Sequence, residues 1–205
     1  MTKTYNNQQV ATYEVGLAVE QFLIAPYGTS YSCTEPVDPD SPPSDFLSLG
    51  AVVEDSPTVT ISREKYTLDT GIPRSRAYEE ILGVNATVSF RLYSNSYYQA
   101  QFALGNESDI TTVTTIASGD IQTQYYGLST LTNYYLLGVA DFTNGYQVVH
   151  DFPKVSPADD FTEEFRASAP EMPLSFNALS VPTTVNGCLQ PVLGKRHFIN
   201  TGATC

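Results

Sequence analysis

Apolar and polar residues alternate along several short runs of this sequence. The clearest run covers residues 86–93, where polar residues separate Val88, Phe90 and Leu92. Successive side chains of a β-strand point to opposite faces, so a two-residue period is typical of a strand with one buried face. We therefore predict a strand here, with its three apolar side chains directed into a core.

Similar patterns elsewhere in the sequence predict a series of short strands. A change of phase near residues 63–65 indicates a β-bulge or a sharp bend. Asn144 and Gly145 predict a hairpin turn, because both residues of the favoured turn need positive φ. The predicted strands cover residues 13–25, 58–69, 86–93, 110–117, 132–142, 146–152, 162–167 and 172–179.

One segment has the signals of a helix. Asn95 is a favourable N-cap, Gly105 is a favourable stop, and Tyr98 and Phe102 between them are four residues apart. We predict a helix over residues 96–104. Together, these strands and the helix predict one domain of the mainly β class over residues 1–205. We expect an antiparallel sandwich or barrel with one short flanking helix and long extended arms.

Four further segments do not show a clear strand pattern. Residues 77–84 are interpreted as a short helix or an irregular edge, and residues 153–160 as a loop. Residues 26–50 are rich in proline, serine and acidic side chains, which favours a solvated arm that contacts a partner. Residues 181–205 have Pro and Gly at short intervals and are interpreted as an extended tail.

Negative charge dominates the chain, which has a formal net charge of -12. No Lys or Arg lies between Lys3 and Arg63, or between Arg91 and Lys154. This argues against nucleic-acid capture, because phosphate binding needs clustered cations. The charge fits either simple solubility or a surface that repels polyanions.

Motifs of catalysis, metal binding and cofactor binding are absent from the sequence, and we expect no enzyme activity. The two histidines, His150 and His197, are in no hydrolase motif, although a spatial triad stays open. The three cysteines, Cys33, Cys188 and Cys205, have no zinc or CxxC spacing and fit reduced thiols of a protein made in the cytoplasm. No apolar run is long enough to cross a membrane, so no membrane partner is expected.

The order of these patterns resembles the tail tube, or major tail, proteins of tailed bacteriophages. The similarity covers residues 14–180 and rests on family-level patterns. These occupy residues 22–29, 49–55, 59–61, 69–73, 84–92, 95–105, 151–156 and 172–179.

The resemblance implies a β-sandwich subunit with no active site and no cofactor. Six subunits would close a ring, and stacked rings would form the tube through which DNA is ejected into the host. The implied partners are the chain itself, other tail proteins and DNA that passes without being bound. The implied location is the virion tail, after synthesis in the bacterial cytoplasm.

Two sets of residues are candidates for these roles. The candidates for contacts between rings are Glu35, Pro36, Asp38, Asp40, Asp45 and Phe46. The candidates for the tube lumen are Glu14, Glu20, Glu54, Asp55, Asp109 and Asp120.

Three alternatives stay open at this point. The chain could be a neck, tail-terminator or decoration protein of a virion. It could also be a carbohydrate-binding, adhesin-like β-sandwich, which its fourteen tyrosines would suit. The third alternative is a hydrolase that uses His150 or His197.

Overall fold

A computed structural model describes residues 19, 21–33, 35–38, 41–70, 75–93, 97–105, 131–142, 146–158 and 171–200. Over these residues the protein is mainly β, its strands pair antiparallel, and it has one short helix. This confirms the predicted fold class.

Ten strands and one helix make up the described part of the chain. The helix, α1 (Tyr97–Leu104), lies between the fourth and fifth strands. The strands are β1 (Gln21–Pro26), β2 (Leu47–Ala51), β3 (Thr58–Thr70), β4 (Ser75–Leu92), β5 (Tyr134–Phe142), β6 (Tyr146–Pro157), β7 (Met172–Ala178), β8 (Val181–Val185), β9 (Cys188–Val192) and β10 (Lys195–Asn200).

Eight of the strands form one sheet. Its order is β2-β1-β5-β6-β7-β4-β3, and β10 pairs with the first half of β6 on the edge that β7 contacts farther along. Strands β8 and β9 form a separate hairpin. The residues that follow β2 also bridge to the end of β4, through Val52 and Leu92.

The main core lies between parts of the sheet that are not neighbours in strand order. Phe22 of β1 stacks on Phe90 of β4 with ring centroids 3.8 Å apart. Because β5, β6 and β7 separate these strands in the sheet, the sheet bends so that β1 faces β4. Val88, Phe90 and Leu92 are all buried, as the alternation predicts.

A second cluster covers the opposite face of β1, β5 and β6. Leu23, Leu137 and Val149 lie in it, and Val37 and Phe46 cover them. Burial on both faces explains why Phe22, Leu23 and Ile24 interrupt the two-residue alternation.

The prediction of a solvated arm over residues 26–50 is wrong for part of that segment. Residues 47–51 form β2, which pairs with β1, and Val37 and Phe46 are buried. The prolines exclude regular structure only from the middle of the segment. The apolar side chains between them still bury themselves on the protein's own sheet.

The helix prediction is confirmed within one residue, since α1 starts at Tyr97. It stops at Gly105, which has a φ of 67° and whose N–H donates to the Phe102 carbonyl over 3.1 Å. Left-handed backbone of this kind favours glycine at a helix end. Asn95, the predicted cap, lies outside the described residues.

Strand β3 and its bulge are confirmed, but the helix or irregular edge predicted over residues 77–84 is wrong. That segment belongs to β4 and pairs with β3 along its length. The register shifts at Glu64 and Lys65, which face Gly83 and Ile81, so β4 has an extra residue there. The extra residue removes the two-residue period from the sequence.

The loop predicted over residues 153–160 is wrong up to residue 157, because β6 continues to Pro157. Its register shifts between the Leu136–Phe152 pair and the Tyr134–Val155 pair, so Pro153 and Lys154 lie at a bulge. A bulge accommodates proline within a sheet, because one residue leaves the hydrogen-bonding ladder.

The extended tail predicted over residues 181–205 is wrong for residues 181–200, which form β8, β9 and β10. Asn186 and Gly187 join β8 to β9 with φ values of 51° and 79°. Two positive φ angles are the signature of a tight hairpin turn. The Asn-Gly signal was therefore present here as well, between strands too short to show alternation.

Several predictions fall outside the described residues. These are the strands over residues 110–117 and 162–167, residues 13–18 of the first strand, and the turn residues Asn144 and Gly145. The hairpin itself is confirmed, because Phe142 pairs with Tyr146. Within the described residues, no helix is long and apolar enough to cross a membrane.

Candidate functional site

Strands β3 and β4 extend beyond the rest of the sheet as a two-stranded ribbon. Strand β7 pairs with β4 only from Ala86 to Leu92. In the described part of the chain, the outer half of β4 therefore has β3 as its only strand neighbour. We call residues 58–70 and 75–85 the ribbon.

The ribbon concentrates exposed apolar side chains. Eight of the fourteen large apolar residues that are exposed among the described residues lie on it. Both faces of the ribbon carry them: the strand register places Val59, Ile61, Ile81 and Val84 on one face, and Tyr66, Leu68 and Tyr78 on the other. A patch of this kind is typical of an interaction surface, whereas single exposed apolar residues are ordinary. The eight residues are Val59, Ile61, Tyr66, Leu68, Tyr78, Ile81, Leu82 and Val84.

Part of this patch continues the core face of the sheet. Val59 pairs with Val88, and Ile61 pairs with Ala86. Paired residues of antiparallel strands share a face, so all four side chains point to the same side. Val88 is 0% exposed, whereas Val59 is 39% and Ile61 is 54% exposed. The same face of the sheet is therefore covered at Val88 and uncovered at Val59, its partner on the next strand.

A groove of about 600 Å³ lies at the root of the ribbon. Its walls come from β3 and β4, from β6, and from residues 191–196, which run from the end of β9 to the start of β10. The apolar lining includes Val59, Ile61, Val84, Phe152, Val192 and Leu193.

The groove is also cationic. Arg63 and Arg196 contribute their side chains to its lining, and no carboxylate lines it among the described residues. This is unusual for a chain with 22 acidic and 10 basic residues. We call this site the cationic groove.

His150 lines the same groove, and the positive charge there affects its pKa. Burial first, and the positive charge of Arg196 second, lower the pKa of His150 below its ordinary value. Arg196 is the cross-strand partner of His150, which places the two side chains on one face. The folded protein therefore disfavours the charged form of the His150 ring beside Arg196.

A buried carboxylate attaches β10 to the body of the protein. The Tyr135 hydroxyl donates to Asp151 Oδ1 over 2.6 Å, and His197 Nε2 lies 3.2 Å from Asp151 Oδ2. Burial, followed by the hydrogen bond to Asp151, raises the pKa of Tyr135, so the phenol keeps the proton that it donates. Because His197 follows Arg196 directly, this cluster also positions the cationic groove.

The acidic candidates of the arm lie on the opposite face of the sheet. Glu35, Pro36, Asp38 and Asp45 are exposed, and Asp40 lies outside the described residues. Val37 holds them there: its N–H donates to Gln147 Oε1 and its carbonyl accepts from Gln147 Nε2, each over 2.7 Å.

Phe46 cannot be a contact residue in this structure, so that candidate is wrong. Its ring is 3% exposed and packs edge-to-face on Tyr31 and Tyr135, with centroids 5.7 Å and 5.4 Å apart. The aromatic ring anchors the arm to the sheet.

The lumen candidates are only partly described. Glu54 and Asp55 are exposed in the turn between β2 and β3, where Asp55 has a φ of 58°. Glu14, Glu20, Asp109 and Asp120 lie outside the described residues. Of the six lumen candidates, the structure therefore describes only the two that are adjacent in sequence.

The two histidines lie on opposite faces of the sheet. His150 faces the cationic groove, whereas His197 contacts Asp151 on the other face of β6. Across the described ranges, no three metal-ligating side chains are grouped. Sequence reasoning missed the cationic groove, because Arg63, His150 and Arg196 come from three strands that are distant in the chain.

Comparison with known proteins found no protein-family model and no curated protein that matches this chain. The resemblance to tail tube proteins therefore stays a prediction.

Proposed function

We propose that this chain is a structural subunit that assembles with copies of itself into hexameric rings, and that these rings stack into a phage tail tube. The observation that carries the proposal is the ribbon. It presents eight of the fourteen large apolar side chains that are exposed among the described residues.

The magnitudes favour assembly that depends on concentration. Covering a half-exposed Val, Ile or Leu side chain stabilises a contact by roughly 1 kcal/mol. Val59, Ile61, Ile81 and Val84, which share one face of the ribbon, together contribute on the order of 4 kcal/mol, against an entropic cost of association of about 4–15 kcal/mol. One ribbon contact is therefore too weak for a tight dimer, whereas a closed ring adds several such contacts.

The open edge of β3 supports the same proposal. Among the described strands, β3 pairs only with β4, so its other edge offers unpaired N–H and C=O groups over thirteen residues. Exposed edges of this length promote pairing with another chain. A head-to-tail contact that closes on itself forms a ring and leaves no free edge.

The charge of the chain suits a conduit for DNA. A net charge of -12 repels phosphate, so DNA would pass through the tube without binding. In this role the protein is made in the host cytoplasm, works in the virion tail and contacts other tail proteins at the ends of the tube.

Electron microscopy of the purified protein, together with mass measurement, tests this proposal. We expect sixfold rings and stacked tubes at high concentration or with tail-initiator proteins, and no retention of DNA in a gel-shift assay at low salt. A protein that stays monomeric under all these conditions would contradict the proposal. A high copy number in virions would separate a tube subunit from a neck, tail-terminator or decoration protein.

A further inference from the structure

We propose that the cationic groove binds the acidic surface of a second copy of this chain, the surface that carries Glu35, Asp38 and Asp45. This inference rests on the proposed self-assembly and names the two surfaces that meet. It does not depend on the number of copies in a ring.

Charge complementarity identifies the occupant. The groove has the cations Arg63 and Arg196 in its lining and no described carboxylate. The acidic surface lies in a stretch without a single Lys or Arg from residue 4 to residue 62. Opposite charges of this kind steer association and fix its register.

The two surfaces lie on opposite faces of the sheet, so the contact must join different copies. Val149 belongs to the cluster that Val37 covers beneath the acidic surface. His150 and Phe152 line the groove, and His150 follows Val149 directly in β6. Neighbouring residues of a strand point to opposite faces, which places the sheet between the two sites.

Such a contact is head-to-tail, because the two sites differ. Contacts of this type close into rings or continue as stacks, whereas a contact between identical patches stops at a dimer. Pro36 is exposed beside Glu35, so the occupant can also offer an apolar side chain to the apolar walls of the groove. This supplies contact area in addition to the charge pairs.

A charge-exchange experiment tests the inference. The groove variant is R63E with R196E, and the surface variant is E35K with D45K. Each variant alone places like charges at the contact, so we expect the concentration at half-assembly to rise at least about tenfold. In an equimolar mixture the two variants can alternate, which gives opposite charges at every contact of the proposed six-membered ring or of an open stack, so we expect assembly to return to within about threefold of wild type.

The control has the same change of charge away from the groove. Arg91 faces Glu171 across 3.5 Å on the surface, and Lys154 lies over the Tyr27 ring, and neither lines the groove. The R91E with K154E variant should assemble within about threefold of wild type. Restored assembly in the mixture also shows that both charge-exchange variants are folded.

The outcomes separate this inference from the proposed function. If the wild-type protein does not assemble, the proposed function fails and this inference fails with it. If the wild type and the groove variant assemble equally, the inference alone is overturned. If both variants fold by circular dichroism but their mixture does not assemble, another segment occupies the groove, and the inference is again overturned.

Discussion

The body of the sheet buries its apolar side chains, whereas the ribbon exposes side chains of the same kinds. In β4, Val88, Phe90 and Leu92 are buried against β1, β7 and α1. A few residues earlier in the same strand, Ile81, Leu82 and Val84 are exposed. The pairing of β4 with β3 continues through both regions, whereas its pairing with β7 and the layer that covers its apolar face are confined to the first.

This difference shows that backbone pairing and side-chain burial are separate requirements. Strands β3 and β4 pair with each other throughout the ribbon, so the hydrogen bonds that join them are made within the ribbon itself. Its apolar side chains contribute little to the stability of the single chain, because water still reaches them. We infer that they act between chains, and four changes test this contrast.

Phe90→Ala should have the largest effect. The Phe90 ring stacks on Phe22 and lies 6.1 Å from the Phe176 ring, and all three side chains are buried. We expect a loss of about 3–5 kcal/mol in the free energy of unfolding. Urea denaturation measures this loss, and a loss below about 1 kcal/mol would show that the body is as loosely packed as the ribbon.

Asp151→Asn should have the next largest effect. The carboxylate is 2% exposed, accepts from Tyr135 and contacts His197, so the amide loses charge-assisted hydrogen bonding. We expect a loss of about 1.5–3 kcal/mol in the free energy of unfolding. Hydrogen exchange at residues 195–200 should become faster, whereas exchange in β7 should change little.

Acidification should cause a smaller loss of stability through His150. Its pKa in the folded protein lies below the ordinary value of 6.5, so the folded state disfavours the charged ring. The contribution of His150 is therefore complete above pH 6.5 and is lost as the pH falls through the lowered pKa.

Arg196→Gln checks this assignment, because it removes a positive charge and keeps the burial. NMR titration should show a higher pKa for His150 in that variant. An unchanged pKa would mean that burial alone sets the value.

Replacing exposed ribbon residues should have the smallest effect on the single chain. Ile61→Thr with Ile81→Thr keeps β-branched side chains and removes apolar surface. We expect the free energy of unfolding of the monomer to change by less than about 0.5 kcal/mol per site. Sedimentation should show weakened assembly, and full assembly with these changes would remove the ribbon from the proposed interface.

The sequence was most informative where one face of a strand is buried. Val88, Phe90 and Leu92 alternate because the sheet covers one side of them and leaves the other side polar. The prediction failed where that condition failed. Residues 77–84 carry apolar side chains on an uncovered ribbon with a bulge, so their pattern has no two-residue period.

Proline misled the prediction in two places for the same reason. Pro153 lies at a bulge of β6, and Pro182 pairs with Pro191 in the short β8–β9 hairpin. Both sites tolerate a missing N–H, which sequence patterns do not show. The cationic groove could not be predicted at all, because it depends on the register of β10 against β6.

The late position of β10 has a consequence for synthesis of the protein. Lys195 and Arg196 follow every other described contributor to the cationic groove in the chain. A ribosome adds roughly 5–20 residues per second, so several seconds separate the appearance of His150 from that of Arg196. In the contact that we propose, a nascent chain would have its acidic surface before its cationic groove is complete. It could therefore not receive the acidic surface of another copy until β10 has been made.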